Sequence, residues 1–98
     1  MIGTHDPEGM ERQVLHDLVN FNGKNIFEVG CGEGRMTRLY ADVATSVLGF
    51  DPDDDAISKA REQTPEHLAS RVEFRVADIV GIKLDEDAYD VGILAWSI

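Results

Sequence analysis

Three glycines, Gly30, Gly32 and Gly34, stand between a short apolar segment and a predicted helix. Glycine permits tight turns and lets backbone amides approach a ligand closely. The N-terminus of the following helix offers free amide donors to an anionic group. Asp51 ends a second apolar segment, 21 residues after Gly30, where a carboxylate can accept both hydroxyls of a ribose. The spacing predicts a site for a nucleoside-containing cofactor.

The glycine spacing departs from two known phosphate-binding patterns. In the dinucleotide fingerprint Gly-x-Gly-x-x-Gly, counted from Gly30, the third glycine position holds Arg35, and no Gly-Lys-Ser/Thr follows. An NAD-dependent oxidoreductase is therefore a disfavoured alternative. Glu28 precedes Gly30 by two residues, and a carboxylate there would repel a pyrophosphate but suit an ammonium or a sulfonium. Because an acid in an apolar strand is costly unless it is satisfied, we favour a cofactor role for Glu28 over capping of the turn.

The elements that position these residues begin with a predicted helix. It starts at Asp6-Pro7, where Asp6 can cap it and Pro7 suits the first helical position, and it ends at Asn22-Gly23. Its apolar residues recur near helical spacing and predict the inward face: Met10, Val14, Leu18 and Phe21, widened by Leu15 and Val19.

Strands and helices then alternate along the chain. The predicted strands are Asn25–Val29, Ser46–Phe50, Arg71–Val76 and Val91–Ala95. The second helix presents one apolar face, made of Met36, Leu39, Tyr40 and Val43. Three acids at 53–55 open the third helix, which turns Ile57 and Ala60 inward and ends at Pro65. This order predicts an α/β, doubly wound parallel sheet with ligands bound at the carboxyl ends of its strands.

Four segments in order resemble the class I S-adenosylmethionine-dependent methyltransferases. Ile26–Gly34 resembles their acid-x-Gly-x-Gly-x-Gly motif, and 47–51 resembles the second strand with its ribose-binding acid. Residues 76–79 match the segment that brackets adenine, and 89–96 match the fourth strand with its aromatic–Asp start. The resemblance implies a Rossmann-like sheet with strand order 3-2-1-4. It covers the cofactor-binding half of a usual domain, and the remaining strands of the family's seven are absent.

The resemblance also implies roles for individual residues. Glu28 would face the methionyl amino group, and Asp51 would hold the ribose hydroxyls, with Pro52 against adenine. Asp78 would accept from the adenine amino group. The full set of expected cofactor-binding residues is Glu28, Gly30, Cys31, Gly32, Asp51, Pro52, Asp78, Ile79, Ala95 and Trp96. No catalytic residue is predicted, since methyl transfer rests mainly on proximity and in-line orientation.

Composition limits the other classes of function. The chain has 98 residues and a net charge of −10, which allows one domain, 1–98, and opposes a nucleic-acid partner. No apolar run is long enough to span a membrane, and Met1–Met10 does not resemble a secretory signal. The single cysteine, Cys31, excludes an internal disulfide and fits a cytoplasmic location.

A nucleophilic cysteine and a calcium-binding loop are two further types of site that the residues fit less well. Cys31 lies between two glycines as a nucleophile might, but a small residue filling a tight turn is the simpler interpretation. Asp51, Asp53, Asp55 and Glu62 match positions 1, 3, 5 and 12 of a calcium-binding loop. Position 6 of that loop needs glycine and holds Ala56, so helix capping and ribose binding explain these acids better.

The sequence therefore predicts methyl transfer from S-adenosylmethionine to a small-molecule acceptor. The alternative is a non-catalytic module that holds the cofactor without the substrate half. Residues 91–98 carry no charge and would form a free sheet edge, which proteins normally pair or blunt. We therefore expect either a truncated chain or self-association of that edge with a second copy.

Overall fold

The computed structural model describes residues 7–78 and 88–94, which form one parallel sheet with helices. The helices are α1 (Pro7–Leu18), α2 (Thr37–Tyr40) and α3 (Asp54–Gln63), followed by a 3-10 turn at Glu66–Leu68. The strands are β1 (Asn25–Val29), β2 (Ser46–Asp51), β3 (Val72–Val76) and β4 (Val91–Leu94). Within this part of the chain, no helix has the length and apolar character needed to cross a membrane.

The sheet has the predicted order, β3-β2-β1-β4, and its strand pairs are parallel. The register places Glu28 of β1 beside Gly49 of β2 and Ile93 of β4. The carboxyl ends of β1 and β2 therefore lie side by side, as the prediction of a ligand site at this end requires. The doubly wound α/β class and the strand order are confirmed.

The predicted inward face of α1 is wrong for three of its residues. Met10, Val14 and Leu18 are 48%, 54% and 76% exposed, whereas Leu15 and Val19 pack against the core. The cause is that α1 meets α2 through polar side chains. Arg12 Nη1 donates to the carbonyl oxygen of Leu39 at 2.7 Å, and a ring nitrogen of His16 lies 3.0 Å from the same oxygen. The helix also ends at Leu18, earlier than predicted.

The second and third helices follow the sequence more closely. α2 is shorter than its apolar periodicity suggested, although Leu39 and Tyr40 are buried as predicted. α3 is capped by Asp53, whose side chain accepts hydrogen bonds from the amides of Asp55 and Ala56. Ile57 and Ala60 face inward on α3, as the sequence indicated.

β4 forms an edge of the sheet in the part of the chain that the structure describes. Although the apolar run Val91–Leu94 suits burial on both faces of a strand, its residues alternate between partly buried and exposed, and Leu94 is 61% exposed. Pairing of this edge with a second copy stays a prediction, as does the assignment of 1–98 to a single domain. Residues 95–98 of the predicted edge lie outside the described residues.

Candidate functional site

The glycine loop after β1 is tied to the end of β2 by backbone hydrogen bonds. The amides of Gly30 and Cys31 both donate to the carbonyl oxygen of Phe50, at 2.8 and 3.0 Å. Gly30 and Gly32 have φ angles of 78° and 55°, in the left-handed region that favours glycine. A Cβ atom at Gly32 would have no neighbour within 4 Å. The loop therefore presents bare backbone to open space.

Asp51 joins the loop to the start of α3. Its Oδ2 accepts from the amide of Gly32 at 2.9 Å, and its Oδ1 accepts from the amide of Asp53 at 2.9 Å. A carboxylate oxygen can accept more than one hydrogen bond, so both oxygens keep capacity for a ligand's hydroxyls. The protein thus orients the Asp51 carboxylate with its own amides.

Glu28 lies fully buried beneath the loop. Its Oε1 accepts from Thr37 Oγ1 at 2.9 Å and from the Tyr40 hydroxyl at 2.6 Å. Its Oε2 is buried and has no hydrogen-bond partner among the described residues. Burial raises the pKa of the Glu28 carboxyl above its ordinary value, although the hydrogen bonds from Tyr40 and Thr37 oppose that rise.

An open cavity of about 540 Å³ is lined by the glycine loop and by both Glu28 and Asp51. Its lining carries four carboxylates and one guanidinium among the described residues, so the electric field inside favours a cationic group. The lining residues are Glu28, Gly30, Cys31, Gly32, Glu33, Arg35, Met36, Asp51, Asp53 and Ala56. A ligand with hydroxyls at one end and an ammonium at the other matches Asp51 and the orphaned oxygen of Glu28.

Cys31 lines the cavity but is not an activated nucleophile. It is buried, and its Sγ lies 3.7 Å from the carbonyl oxygen of Gly32. Burial, together with the carboxylates of Glu28 and Asp51, raises the pKa of the Cys31 thiol to about 12. Nucleophilic cysteines have lowered pKa values instead.

We therefore expect Cys31 to react with iodoacetamide at pH 8 at least about a hundredfold more slowly than free cysteine, since the thiolate is the reactive form. Mass spectrometry of the folded protein would measure the rate, and the urea-unfolded protein is the control. A rate equal to that of free cysteine in the folded protein would contradict this environment.

Two of the four acids that resemble a calcium loop accept hydrogen bonds from backbone amides. Asp53 caps α3, and Asp51 accepts from the Gly32 and Asp53 amides. In residues 7–78 and 88–94 no group of three His, Cys, Asp or Glu side chains is placed to hold a metal ion. Capping of α3 by Asp53 is confirmed, and ribose binding by Asp51 stays a prediction.

The structure gathers five of the predicted site residues around one cavity: Glu28, Gly30, Cys31, Gly32 and Asp51. Pro52 is exposed and Asp78 follows β3, and neither lines the cavity. Ile79, Ala95 and Trp96 lie outside the described residues. Their binding roles, like those of the five, stay predictions.

Sequence reasoning missed the partners of Glu28. The sequence pattern predicts no role for Thr37 and places Tyr40 only on an apolar helix face. The available signal was the hydroxyl itself, because a buried tyrosine hydroxyl usually needs a hydrogen-bond partner. Their three-residue spacing places both hydroxyls on one face of α2.

Phe74 on β3 is a second residue that sequence reasoning missed. A Cβ atom at Gly49 would lie 2.8 Å from Phe74 Cδ1, and one at Gly34 would lie 2.9 Å from Phe74 Cζ. Gly34 also has a φ of 81°. Both glycines therefore make room for the ring, which supports the loop from below next to Cys31.

Comparison with known proteins decides the family. A family model described as a methyltransferase domain matches residues 26–98, which include the glycine loop, Asp51 and β4. The chain belongs to this methyltransferase family. The family's cofactor is S-adenosylmethionine, so the alternative of an NAD-dependent oxidoreductase is set aside.

Curated relatives of this methyltransferase domain are considerably longer. The chain is 30% identical over 100 residues to phosphoethanolamine N-methyltransferase 1 of Caenorhabditis elegans, covering 98% of this chain and 21% of that protein. It is 35% identical over 69 residues to a probable S-adenosylmethionine-dependent methyltransferase of Mycolicibacterium smegmatis, covering 70% of this chain and 25% of the relative. The domain described here thus spans about a quarter or less of each.

Solved structures show the same fold. Phosphoethanolamine N-methyltransferase 1 of Haemonchus contortus, solved with phosphoethanolamine and S-adenosylhomocysteine, superposes with a TM-score of 0.78 at 27% identity. That alignment covers 94% of this chain and 20% of the other.

Sequence relatives also include an uncharacterized RNA methyltransferase of Clostridium acetobutylicum. It is 27% identical over 75 residues, and the match covers 76% of this chain and 16% of the relative.

Proposed function

We propose that this chain binds S-adenosylmethionine in the cavity over the glycine loop and serves methyl transfer to a small-molecule acceptor. The observation that carries the proposal is that one cavity is lined both by Asp51, whose carboxylate is oriented by two amides, and by Glu28, whose buried Oε2 has no partner among the described residues. Bound S-adenosylmethionine supplies a methyl group already activated by a positively charged sulfur.

The chain's own residues bind and orient the cofactor. Asp51 accepts from the ribose hydroxyls, and Glu28 accepts from the methionyl ammonium. Gly32 has open space above it, so backbone can pass close to the ligand. The acidic lining favours the positive charge of the cofactor. The residues present therefore fit the family's cofactor.

Two observations support a small-molecule acceptor: the net charge of the chain and its similarity to known methyltransferases. The net charge of −10 opposes a polyanionic RNA substrate. Phosphoethanolamine methyltransferases from nematodes and wheat are among the matched relatives.

Release of S-adenosylhomocysteine in the presence of phosphoethanolamine, compared with its release in the presence of RNA, tests this choice of acceptor. Cofactor binding without release for any acceptor would favour the non-catalytic alternative. A cytoplasmic location stays a prediction.

Calorimetric titration with S-adenosylhomocysteine, with NAD as the control ligand, tests cofactor binding directly. We expect saturable binding of the first ligand alone. Circular dichroism establishes that the titrated protein is folded. A folded protein that ignores S-adenosylhomocysteine would overturn the proposal.

Replacing Asp51 with alanine is expected to weaken S-adenosylhomocysteine binding by roughly 10- to 100-fold, as expected for hydrogen bonds to a charged group. The substitution also frees the Gly32 amide from its acceptor. Glu62→Ala removes an exposed negative charge from α3 and is the matched control. Equal affinity of the Asp51→Ala and Glu62→Ala variants would refute the role of Asp51.

A further inference from the structure

The two oxygens of the Glu28 carboxylate have unequal surroundings. Oε1 accepts two hydrogen bonds, from Thr37 Oγ1 and from the Tyr40 hydroxyl. Oε2 is equally buried but has no partner among the described residues. A buried charged acceptor without a partner costs free energy, so a native protein that retains one needs a reason.

The two hydroxyl donors are themselves held in place. Thr37 and Tyr40 are fully buried, and both lie in α2. The Tyr40 ring stacks on Phe21, with ring centroids 4.5 Å apart and an interplanar angle of 13°. Because the side chains that grip Oε1 are packed, the carboxylate cannot rotate without breaking two hydrogen bonds. Oε2 is therefore fixed as the free oxygen.

Chemistry also keeps Thr37 and Tyr40 in the role of donors. Burial and the neighbouring Glu28 raise the pKa of the Tyr40 hydroxyl, so it remains protonated. Hydrogen bonds from hydroxyls to a carboxylate are among the stronger ones in proteins. The two bonds on one oxygen oppose the rise in the pKa of Glu28 that burial causes, and so they favour the ionised carboxylate, the form that attracts a cation.

The other groups at the cavity also favour a cation. Glu33, Asp51 and Asp53 line it together with Glu28, against the single guanidinium of Arg35. An anionic group would meet repulsion at Oε2, whereas an ammonium would supply both charge and donors.

We propose that Thr37 and Tyr40 are positioning residues that hold Glu28 by one oxygen so that the other binds the ammonium group of the ligand. This inference rests on the proposed function, because the ligand's ammonium is that of the S-adenosylmethionine methionyl part. It adds that recognition of the ammonium depends on two hydroxyls in α2 that do not touch the ligand.

The experiment compares two ligands across a set of conservative variants. S-adenosylhomocysteine carries the ammonium, and 5′-methylthioadenosine lacks the amino-acid part. Tyr40→Phe and Thr37→Val each remove one hydroxyl while they keep the packing volume. Tyr89→Phe and Thr64→Val are matched controls, since Tyr89 packs on Phe27 and Thr64 Oγ1 donates to the carbonyl oxygen of Ala60. Thr37→Ser restores the hydroxyl.

We expect Tyr40→Phe and Thr37→Val each to lower the affinity for S-adenosylhomocysteine by about tenfold, as for loss of one hydrogen bond to a charged group. The affinity for 5′-methylthioadenosine should not change, and the control variants and Thr37→Ser should bind both ligands as the wild type does. In a Glu28→Gln background, the effects of Tyr40→Phe and Thr37→Val should shrink, because the hydroxyls act through that carboxylate.

Equal losses for the two ligands would show a merely structural role and overturn the inference. Unchanged S-adenosylhomocysteine affinity in both variants would also overturn it. Effects that add fully to that of Glu28→Gln would do the same. Failure of the folded wild type to bind S-adenosylhomocysteine at all would instead defeat the proposed function, and that result is read before any variant is compared. Thermal unfolding of Tyr40→Phe and Thr37→Ser confirms that folded proteins are compared.

Discussion

A Glu28→Gln variant is expected to be more stable than the wild type by about 1–2 kcal/mol at neutral pH, because an unpaired amide costs less free energy to bury than an unpaired carboxylate. Glu28 is fully buried and its Oε2 has no partner in the described part of the chain. The glutamine carbonyl oxygen can still accept from Thr37 and Tyr40. Chemical denaturation measures the difference in the free energy of unfolding, with exposed Glu62→Gln as the control.

The gain should depend on pH in a defined direction. Burial raises the pKa of Glu28 above its ordinary value of 4.5, so the folded protein keeps the proton at pH values where the unfolded chain has lost it. The stability that Glu28 contributes is therefore complete below about pH 4.5 and is lost as pH rises through the folded-state pKa. Relative to Glu28→Gln, the wild type should lose stability over that interval. Parallel stability curves for the two proteins would contradict this.

The same substitution should harm ligand binding. We expect the affinity of Glu28→Gln for S-adenosylhomocysteine to fall by roughly 10- to 100-fold, because a charged acceptor facing an ammonium becomes a neutral amide. Affinity for 5′-methylthioadenosine should be retained. Higher stability with weaker binding is the pattern of a residue kept for function at a cost to the fold. A less stable variant with unchanged binding would assign Glu28 to the fold alone.

The second large effect is expected at Phe74. A Phe74→Ala variant should lose about 3–5 kcal/mol of unfolding free energy, since the ring fills the space between β2, α3 and the glycine loop. Gly49→Ala should cost about 1–3 kcal/mol, because its Cβ would lie 2.8 Å from Phe74 Cδ1 and 3.1 Å from Cys31 Sγ.

The combination of the two substitutions separates packing from a general loss of stability. With the ring removed, the methyl group of Gly49→Ala has room, so its cost should shrink and the double variant should be more stable than the sum predicts. Leu68→Ala lies in the other buried cluster, and its effect should add to that of Gly49→Ala. Denaturant titration of the three single variants and of the two double variants that contain Gly49→Ala measures the coupling. Strict additivity for the Phe74 pair would show that the ring does not occupy this space.

Much of the architecture was predictable because local patterns determine it. The alternation of strands and helices predicted a parallel sheet. The acids at 53–55 predicted the start of α3, which Asp53 caps. The glycines and Asp51 meet because parallel strands bring their carboxyl ends together. The family assignment then agrees with the resemblance drawn from the same motifs.

The remaining features depend on partners that are distant in sequence. The inward face of α1 follows from contacts of Arg12 and His16 with the Leu39 carbonyl, which periodicity does not encode. The hydrogen bonds from Thr37 and Tyr40 to Glu28 could not be predicted, because they depend on how α2 lies against β1. The contact between Phe74 and Gly34 joins residues whose proximity appears only in the folded sheet.

Among the residues that the structure describes, the cavity lining comes from one continuous stretch of chain, between Glu28 and Ala56. During synthesis, this stretch is added before the ribosome reaches β3 or β4. The Phe74 ring that supports the glycine loop belongs to β3, so the supported loop depends on contacts between residues more distant in sequence, which form more slowly.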